Sequence, residues 1–477
     1  MYKSMLCAGL LALVAVPVAN AANCTWTGGG TNSNWSTSAN WSNCGTVPVN
    51  GDSLIFPNGA ARLANNNDLV KLMAGQLQLN GLNYVITGNS IGVSLGISAS
   101  VPAGGLTDVA PSFGPGVVLE DAAQTFQCSG AKPLKLTGNV NLNGLALTVT
   151  GTCNTNLAGN VIGTGSLTKQ GTGTLFLQGP VNTYIGPTTI ENGIVIITDD
   201  SALGATGSGN ETTVNSGASL KLDANLDLTV SEALSLNGDG FNSAGALISS
   251  NAGHTLLGDI TLAGDTTIAV ASAVNDLTLI GNIAGAFVLT KIGPGTLVLE
   301  NTTSAYLQGI DGALEVDGVT TTYVVVLNTG VLAGTGVCGN IGPYSRVLPG
   351  RLGSTSPGTL SATGDLTWTG GAVMAFRLGV SSALSDHIVV AGSLKDNNHS
   401  TYAFEFRDAS TPPVAGVTYT LLGFGTNLAF GVGDFTFSYT GSGPGANMTG
   451  AFGLTSTTLT FTPTLVISDL IFHDNLD

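Results

Sequence analysis

The sequence Leu-Thr-Lys-Gln-Gly-Thr-Gly-Thr-Leu-Phe-Leu at residues 167–177 returns as Leu-Thr-Lys-Ile-Gly-Pro-Gly-Thr-Leu-Val-Leu at residues 289–299. The second copy begins 122 residues after the first, and the alignment continues without a gap to Tyr184 and Tyr306. Nine of the 18 paired positions are identical. Internal repetition at a fixed offset is typical of repeat proteins, in which each unit buries its apolar face against the next. The sequence therefore predicts a stacked architecture.

The residues of each copy alternate as they do in a β-strand. One residue separates Leu175 from Leu177 in the first copy, and one separates Leu297 from Leu299 in the second. The two leucines of each copy therefore face the same side of a strand. Outside the first 21 residues, no 11-residue window has helical periodicity. We expect an all-β fold, a right-handed parallel β-helix (a β-solenoid) with a β-rich C-terminal cap. A string of β-sandwiches is the competing fold, but the fixed offset of the repeat favours the solenoid.

Composition and charge exclude several classes of function. The chain has 477 residues, of which 68 are glycine, and 9% are charged. It contains 13 Lys and Arg residues against 29 Asp and Glu residues, which gives a net charge of −16. Because the chain lacks a basic surface to displace phosphate counterions, nucleic acid is not an expected partner, and neither is an anionic membrane surface. Abundant apolar residues argue against disorder.

Residues 1–21 have the organisation of a secretory signal peptide. Lys3 supplies a positive charge, an apolar run follows from Met5 to Val18, and Ala19-Asn20-Ala21 is a small-x-small cleavage site. No later apolar run approaches the roughly 18 residues that a membrane helix needs, so we expect no membrane span. We expect an exported protein that is extracellular or lies on the outer cell surface.

Five cysteines remain after the signal peptide, and an oxidising destination permits disulfides. Sequence proximity favours the pairs Cys24–Cys44 and Cys128–Cys153, each closing a loop of 20 to 25 residues. Such a bond stabilises a fold by about 3 kcal/mol. Cys338 is left over, and we interpret it as a buried free thiol. Since none of the spacings is a metal-binding C-x-x-C pair, we expect no metal and no cofactor.

The repeated pattern, with a tyrosine seven residues beyond its last leucine, resembles the autotransporter-associated β-strand repeat, also called the passenger-associated transport repeat. Residues 169–184 carry one copy, residues 291–306 carry a second, and the clear resemblance covers about residues 165–320. This repeat is found in surface β-helices of Gram-negative bacteria. The resemblance implies an autotransporter-passenger-like β-helix, which is an architecture and not an activity.

The same resemblance suggests how the chain is divided. We expect a passenger without its translocator domain, because 127 residues follow Gly350. The segment Ile471-Phe472-His473-Asp474-Asn475-Leu476-Asp477 is similar to sorting tags of other secreted proteins, and a frayed terminus is the alternative interpretation. The predicted regions are a signal peptide (1–21), an N-terminal β region and solenoid cap (22–115), a β-helix with the repeats (116–345), a C-terminal β-rich cap (346–463) and a C-terminal tail with sorting-tag character (464–477).

Two short motifs match signatures of catalysis or nucleotide binding. Residues 88–92, Gly-Asn-Ser-Ile-Gly, match the G-x-S-x-G nucleophile elbow, but the sequence continues as strand where a helix is required. Residues 334–339 match G-x-G-x-x-G, but prolines follow and no acidic residue comes before Asp365. We interpret both motifs as turns of a glycine-rich chain.

Adjacent acidic residues are the candidates for catalysis, because polysaccharide lyases and hydrolases also use β-helices. The adjacent acid pairs of the sequence are Glu120-Asp121 and Asp199-Asp200. Neighbouring strand residues point to opposite faces, so each pair converges only in a turn. Solvated turns are the favoured interpretation, and an active site built from these four acids is the alternative.

Trp26, Trp35 and Trp41 lie within 16 residues of one another. If they are exposed, they can stack on sugar rings. If they are buried, they close the open end of the solenoid. We favour burial, because a repeat array needs caps.

These observations predict a secreted or cell-surface structural or adhesion protein, with a non-catalytic role favoured over an enzymatic one. The expected partners are a glycan, the extracellular matrix or further copies of the chain. Low charge supports this interpretation, because few groups remain for acid–base chemistry. The alternative is a polysaccharide lyase or hydrolase on a β-helix scaffold. A groove lined by both acids and arginine favours the enzyme, whereas a flat ladder of Thr and Asn favours adhesion.

Overall fold

A computed structural model describes residues 21–398, 400–441 and 448–464 of the chain. In this part of the chain regular structure is almost entirely β-strand, so the predicted all-β class is confirmed. The signal peptide and the C-terminal tail predicted from the sequence lie almost wholly outside the described residues. The short 3-10 turns among the strands are Ser38–Asn40, Phe241–Ser243, Ser382–Leu384 and Val432–Asp434.

The strands form three parallel ladders, which the chain visits in a fixed order. In one coil, Leu77–Leu79 belongs to the first ladder, Val85–Gly88 to the second and Ile91–Val93 to the third. Ile97–Ala99 then returns to the first ladder and pairs in parallel with Leu77–Leu79. The first and second ladders therefore gain one strand per coil, with neighbouring strands about 4.8 Å apart. This arrangement is consistent with a β-solenoid.

The first ladder begins at the amino-terminal strand and consists of Asn23–Trp26, Ser53–Phe56, Leu77–Leu79, Ile97–Ala99, Gln124–Cys128, Leu147–Gly151, Leu167–Lys169, Thr188–Ile190, Thr212–Val214, Leu234–Gly238, Ile260–Val270, Ile283–Ala284, Thr302–Thr303, Val319–Thr320, Val337–Cys338, Thr359–Ala362, His387–Asp396 and Tyr419–Leu428. Antiparallel strands adjoin its two ends: Trp41–Ser42 at the start, and Thr458–Thr464 with Thr449–Leu454 at the finish.

The second ladder shares three long strands with the first, Ile260–Val270, His387–Asp396 and Tyr419–Leu428, which run through both and join them into one sheet. Its other strands are Ala64–Asn67, Val85–Gly88, Ser112–Phe113, Leu134–Leu136, Thr155–Leu157, Thr174–Leu177, Gly193–Ile197, Ala218–Asp223, Leu247–Ser250, Val288–Ile292, Tyr306–Gly309, Tyr323–Val326, Asn340–Pro343 and Leu366–Trp368.

The third ladder is divided into two sheets. The first sheet consists of Met73–Ala74, Ile91–Val93, Val117–Leu119, Val140–Asn141 and Val161–Ile162. The second consists of Thr229–Val230, His254–Leu256, Asp276–Leu279, Thr296–Leu299, Ala313–Val316, Val331–Gly334, Arg346–Pro349, Val373–Leu378, Tyr402–Asp408 and Phe435–Tyr439.

Alternate residues of the strands fill the interior. Leu175 and Leu177 are fully buried, whereas Phe176 between them is partly exposed. The register places these leucines beside Val195 and Ile197 of the next coil, which are also fully buried. The alternation predicted for the repeat is confirmed, and repeating it in each coil produces a continuous apolar core.

The two copies of the repeat stand at different corners of the coil. In the first copy, Leu167–Lys169 lies in the first ladder and Thr174–Leu177 in the second. In the second copy, Val288–Ile292 lies in the second ladder and Thr296–Leu299 in the third. The copies are therefore displaced by one ladder. The repeat encodes a strand–turn–strand corner, and one sequence pattern serves at two different corners.

The three amino-terminal tryptophans are buried, as the sequence analysis favours. Trp26 and Trp35 are fully buried, and both contact Trp41 edge-on with ring centroids 5.1 and 5.7 Å away. Phe56 packs against all three rings. Such edge-to-face contacts stabilise the first coil, and they leave no ring face of this cluster open to a sugar.

The structure contains the disulfides Cys24–Cys44 and Cys128–Cys153, the pairs that the sequence predicts. Cys128 lies in Gln124–Cys128 of the first ladder, and Cys153 follows Leu147–Gly151 in the next coil. This second bond therefore joins adjacent coils covalently. Cys338 is free and fully buried, and burial raises the pKa of its thiol to about 12.

Candidate functional site

The acid pair Asp199 and Asp200 lies in the turn after Gly193–Ile197. Both residues line a groove of about 410 Å³, together with Asp223 and Asp227 of the next coil. Adjacent residues of a strand would point to opposite faces. Because this pair lies in a turn, its two carboxylates can line the same groove.

The carboxylates of Asp199 and Asp200 accept hydrogen bonds from residues around the groove. Asp199 Oδ1 accepts hydrogen bonds from the backbone N–H and the hydroxyl of Ser201, at 3.1 and 2.9 Å. Asp200 Oδ1 accepts from the N–H of Thr229 at 2.7 Å, which joins two successive coils. Asp199 therefore caps its own turn, whereas Asp200 binds the backbone of the next coil.

The second acid pair, Glu120 and Asp121, does not share one groove. Both residues follow Val117–Leu119, and Asp121 has a φ of +65° in the turn. Glu120 lines a groove of about 490 Å³ beside Lys71, whereas Asp121 is not among its lining residues. This groove is therefore lined by one acid of the pair.

A third groove, of about 550 Å³, combines acids with an arginine. Glu300, Glu315 and Asp276 line it, and Arg351 reaches it from a later loop. Arg351 Nε lies 3.0 Å from Asp317 Oδ2, and its Nη1 lies 3.8 Å from Glu300 Oε1. This site is not apparent from the sequence, because its acids come from successive coils and none of them is adjacent to another in the sequence.

Glu315 is the carboxyl group of this groove that tends to keep its proton. Burial raises its pKa and the neighbouring carboxylate of Asp317 raises it further, whereas the N–H of Leu352, donating to Oε2 at 2.9 Å, acts in the opposite direction. A buried carboxylic acid that retains its proton is a group that general acid catalysis uses. The groove therefore offers a proton donor, carboxylates and a guanidinium together.

The loop that carries Arg351 is held by a buried ion pair. Arg377 Nε lies 2.8 Å from Asp386 Oδ2, with 1% and 0% of the two side chains exposed. Arg377 also donates to the carbonyl oxygens of Pro349 and Ser354, at 2.5 and 2.6 Å. These bonds fix the chain on both sides of Arg351, so they position the arginine over the acids.

An uncharged groove of about 260 Å³ lies on the outer side of the second ladder. Tyr306 is 50% exposed there and stands opposite Tyr323 of the next coil. Val288, Gln308 and Val325 contribute to the same lining. The surface combines apolar area with hydroxyl and amide groups.

Tyr306 and Tyr184 occupy the same position of the two repeats but have opposite environments. Tyr184 is fully buried, and its hydroxyl lies 2.5 Å from Thr188 Oγ1. Because the second copy is displaced by one ladder, Tyr306 instead stands on the outer face. Alignment of the repeats alone does not reveal this difference.

The repeat lysine has a buried role that the sequence analysis did not identify. Lys169 is 2% exposed, and its Nζ donates to the carbonyl oxygens of Gln170 and Gly171, both at 2.7 Å. Lys291 is 1% exposed and donates likewise to Gly293. Burial lowers the pKa of both lysines to about 8. Each lysine binds the carbonyl groups of the turn in its own repeat, so it closes the corner.

A buried glutamate lies inside the coils that follow the first repeat. Glu232 is 2% exposed and accepts a hydrogen bond from Thr212 Oγ1 at 3.3 Å. Burial raises its pKa to about 7, and the nearby carboxylate of Glu211 adds to the increase. These buried surroundings favour the protonated form of the Glu232 carboxyl group.

A metal site is not supported at the amino-terminal cysteines. Cys24 and Cys44 lie close to Asp52, a grouping with the ligand types of a metal centre. The two sulfurs are bonded to each other, however, so neither is a thiolate ligand.

Among residues 21–398, 400–441 and 448–464, no helix has both the length and the apolar character needed to cross a membrane.

The fold and these surfaces define a β-rich repeat protein built from strand–turn–strand corners. The passenger-associated transport repeat matches it at residues 167–197 and 289–307. Over 209 residues the chain is 30% identical to the adhesin BmaC autotransporter of Brucella suis biovar 1 (strain 1330). That alignment covers 44% of this chain and 5% of the length of the relative. The chain is therefore similar to autotransporter passengers that carry this repeat, and the resemblance found in its sequence is confirmed.

Proposed function

We propose that this chain is a secreted or cell-surface β-helical protein with a structural and adhesive function. The observation that carries the proposal is its identity of 30% over 209 residues to a protein named as an adhesin. Parallel ladders built from many short coils support it, because they present long outer faces with room for a partner. Its proposed location is extracellular or on the outer cell surface.

The finer architecture is part of this proposal. We propose right-handed coils, since this is the usual sense of connections between parallel strands. We propose an N-terminal cap within residues 22–115, a central β-helix at 116–345 and a C-terminal cap at 346–463. The buried tryptophan cluster supports the first cap, and the antiparallel pair of Thr449–Leu454 with Thr458–Thr464 supports the second.

The test is attachment of the purified chain from Ala22 onward to defined surfaces. Beads coated with the protein are applied to immobilised neutral glycans, anionic glycans, collagen and fibronectin, and sedimentation measures self-association. Saturable attachment to one of these surfaces, or concentration-dependent assembly, is the expected result. Attachment no stronger than that of albumin-coated beads, with a monomer at all concentrations, contradicts the proposal.

A second candidate function is a polysaccharide lyase or hydrolase on the same scaffold. The observation that favours it is the groove in which Arg351 lies over Asp317, beside Glu300 and Glu315. New chain ends released from soluble polysaccharides measure this activity. Loss of activity in Glu315→Gln supports the groove as the active site, whereas loss in the Asp199→Asn/Asp200→Asn double variant instead supports the acid pair.

A further inference from the structure

We infer that the groove formed by Tyr306 and Tyr323 binds an uncharged polysaccharide chain. The inference rests on the adhesive function proposed above and specifies the chemistry of its partner. The displacement of the second repeat places Tyr306 on the outer face, whereas the equivalent residue of the first repeat, Tyr184, fills the core.

The two tyrosines form a fixed aromatic surface. The register of their strands places Tyr306 opposite Tyr323, on backbones about 4.8 Å apart. The ring of Tyr323 lies over Gly342, where any side chain would overlap it. Its hydroxyl is hydrogen-bonded to the side chain of Thr367. A ring held in this way loses little conformational freedom when a ligand stacks on it.

The groove is uncharged although the protein is strongly acidic. With a net charge of −16, the chain repels an anionic polysaccharide, and none of the residues that line the groove is charged. The tyrosine hydroxyls and the Gln308 amide can exchange hydrogen bonds with sugar hydroxyls, while the rings and the valines pack against the apolar faces of the sugar. The complete lining is Val288, Tyr306, Leu307, Gln308, Tyr323 and Val325.

A protein or peptide fits this groove less well. Tyr306–Gly309 is paired on both sides, with Val288–Ile292 and with Tyr323–Val326, so it has no free edge to accept an added strand. A stable protein interface needs about 800 Å² from each partner. A groove of about 260 Å³ is instead small, near the lower end of the range for small-ligand sites.

Affinity electrophoresis of the chain from Ala22 onward tests the inference. The probes are hydroxyethyl cellulose, dextran and soluble starch as neutral polysaccharides, with polygalacturonate as the anionic comparison. We expect at least one neutral probe to retard the protein, with little change when salt is raised, and no retardation by polygalacturonate. Replacement of Tyr306 by Ala weakens binding by about 10-fold, which is the magnitude of one lost aromatic contact.

Two further variants separate stacking from general surface effects. Tyr306→Phe keeps the ring and is expected to retain most of the affinity. Val85→Ala is the matched control, because Val85 is 51% exposed in a strand of the same ladder and lies outside the lining of the groove. It is expected to bind like the parent chain. Thermal unfolding of each variant verifies that the fold is unchanged.

The outcomes distinguish this inference from the adhesive function on which it rests. If no neutral probe is retarded, or if Tyr306→Ala binds like the parent chain, the inference is overturned. If the inference is overturned in this way while the parent chain attaches to the surfaces of the adhesion assay, the adhesive function stands and only the assignment of the groove is wrong. Loss of both polysaccharide binding and attachment in Tyr306→Ala, with both retained in Val85→Ala, supports the inference.

Discussion

The side chain of Lys169 connects two successive coils by donating from Nζ to the carbonyl oxygen of Asn192, 3.1 Å away. Asn192 lies between Thr188–Ile190 and Gly193–Ile197, at the corner directly following that of Lys169 in the stack. Lys291 makes the equivalent bond to the carbonyl oxygen of Asp311, at 2.9 Å. The repeat lysine therefore bonds both to the turn of its own coil and to the corner of the next coil.

Replacing Lys169 with Met tests this connection. Met fills a similar volume but leaves buried carbonyl oxygens without their donor, at a cost of about 1–3 kcal/mol for each. Relief of the burial of a charge offsets part of this cost, and we expect a net loss of at least about 2 kcal/mol in the free energy of unfolding. Urea unfolding measures the change. The control is Lys135→Met at an exposed position of the outer face, for which we expect almost no effect. Equal stability of the two variants would contradict the role assigned to Lys169.

The corner was predictable from the sequence, but its place in the coil was not. Alternation at Leu175 and Leu177 fixes which residues face inward, and this pattern depends only on neighbouring residues. The environments of Tyr184 and Tyr306 depend instead on how many residues each intervening coil contains. Loops of irregular length accumulate over these coils, so the second repeat arrives one ladder out of phase.

The groove of Arg351 depends on packing between distant parts of the chain. Glu315 lies in the strand Ala313–Val316, all four residues of which are buried, and Asp317 directly follows that strand. Their special environment comes from a later loop, whose course is fixed by Arg377 and Asp386. The pattern of neighbouring residues in the sequence does not predict a contact between this loop and the acids. Acids adjacent in the sequence were therefore the candidates for catalysis that the sequence offered.

Glu232 is expected to make the fold more stable in mild acid. Its pKa of about 7 in the folded chain lies above the ordinary value of 4.5. The stabilisation from this group is therefore complete below pH 4.5 and is lost as the pH rises to about 7. Over that window we expect the free energy of unfolding to fall by up to roughly 3 kcal/mol on account of Glu232.

Unfolding of Glu232→Gln at several pH values isolates this contribution. Gln cannot ionise, so the variant is expected to lose less stability between pH 4.5 and 7 than the parent chain. Glu191→Gln, at an exposed position, is the matched control and should follow the parent. Parallel pH profiles for Glu232→Gln and the parent chain would show that the Glu232 carboxyl group is ionised in the folded state.

The cysteines give a prediction that thiol counting can check. In the chain from Ala22 onward, Cys338 is fully buried and its pKa is raised to about 12, so the folded protein is expected to resist alkylation by iodoacetamide. Unfolding without reductant should expose one reactive thiol, and reduction should expose all five. Mass spectrometry gives both counts. Three or more labelled thiols before reduction would mean that one of the two disulfides is absent.

The ion pair of Arg377 and Asp386 is expected to control the loop that carries Arg351. Asp386 Oδ1 also accepts a hydrogen bond from the N–H of Gly358 at 2.8 Å, so the pair binds the far end of that loop as well. Asp386→Ala leaves the Arg377 charge buried without its partner, which costs about 3–5 kcal/mol. We expect lower stability and local opening of the loop.

Trypsin cleavage after Arg351 reports this opening directly. Arg351 is 56% exposed, but proteolysis requires the surrounding backbone to unfold locally, and the bonds from Arg377 oppose this. Asp386→Ala is therefore expected to be cut there much faster than the parent chain. Glu405→Ala is the control, because it removes the partly exposed pair with Arg346, whose contribution is about 1 kcal/mol or less. If Asp386→Ala is destabilised but is cut after Arg351 no faster than Glu405→Ala, the ion pair supports the coils without holding the loop. Arg351 would then owe its position to Asp317 and Glu300 alone.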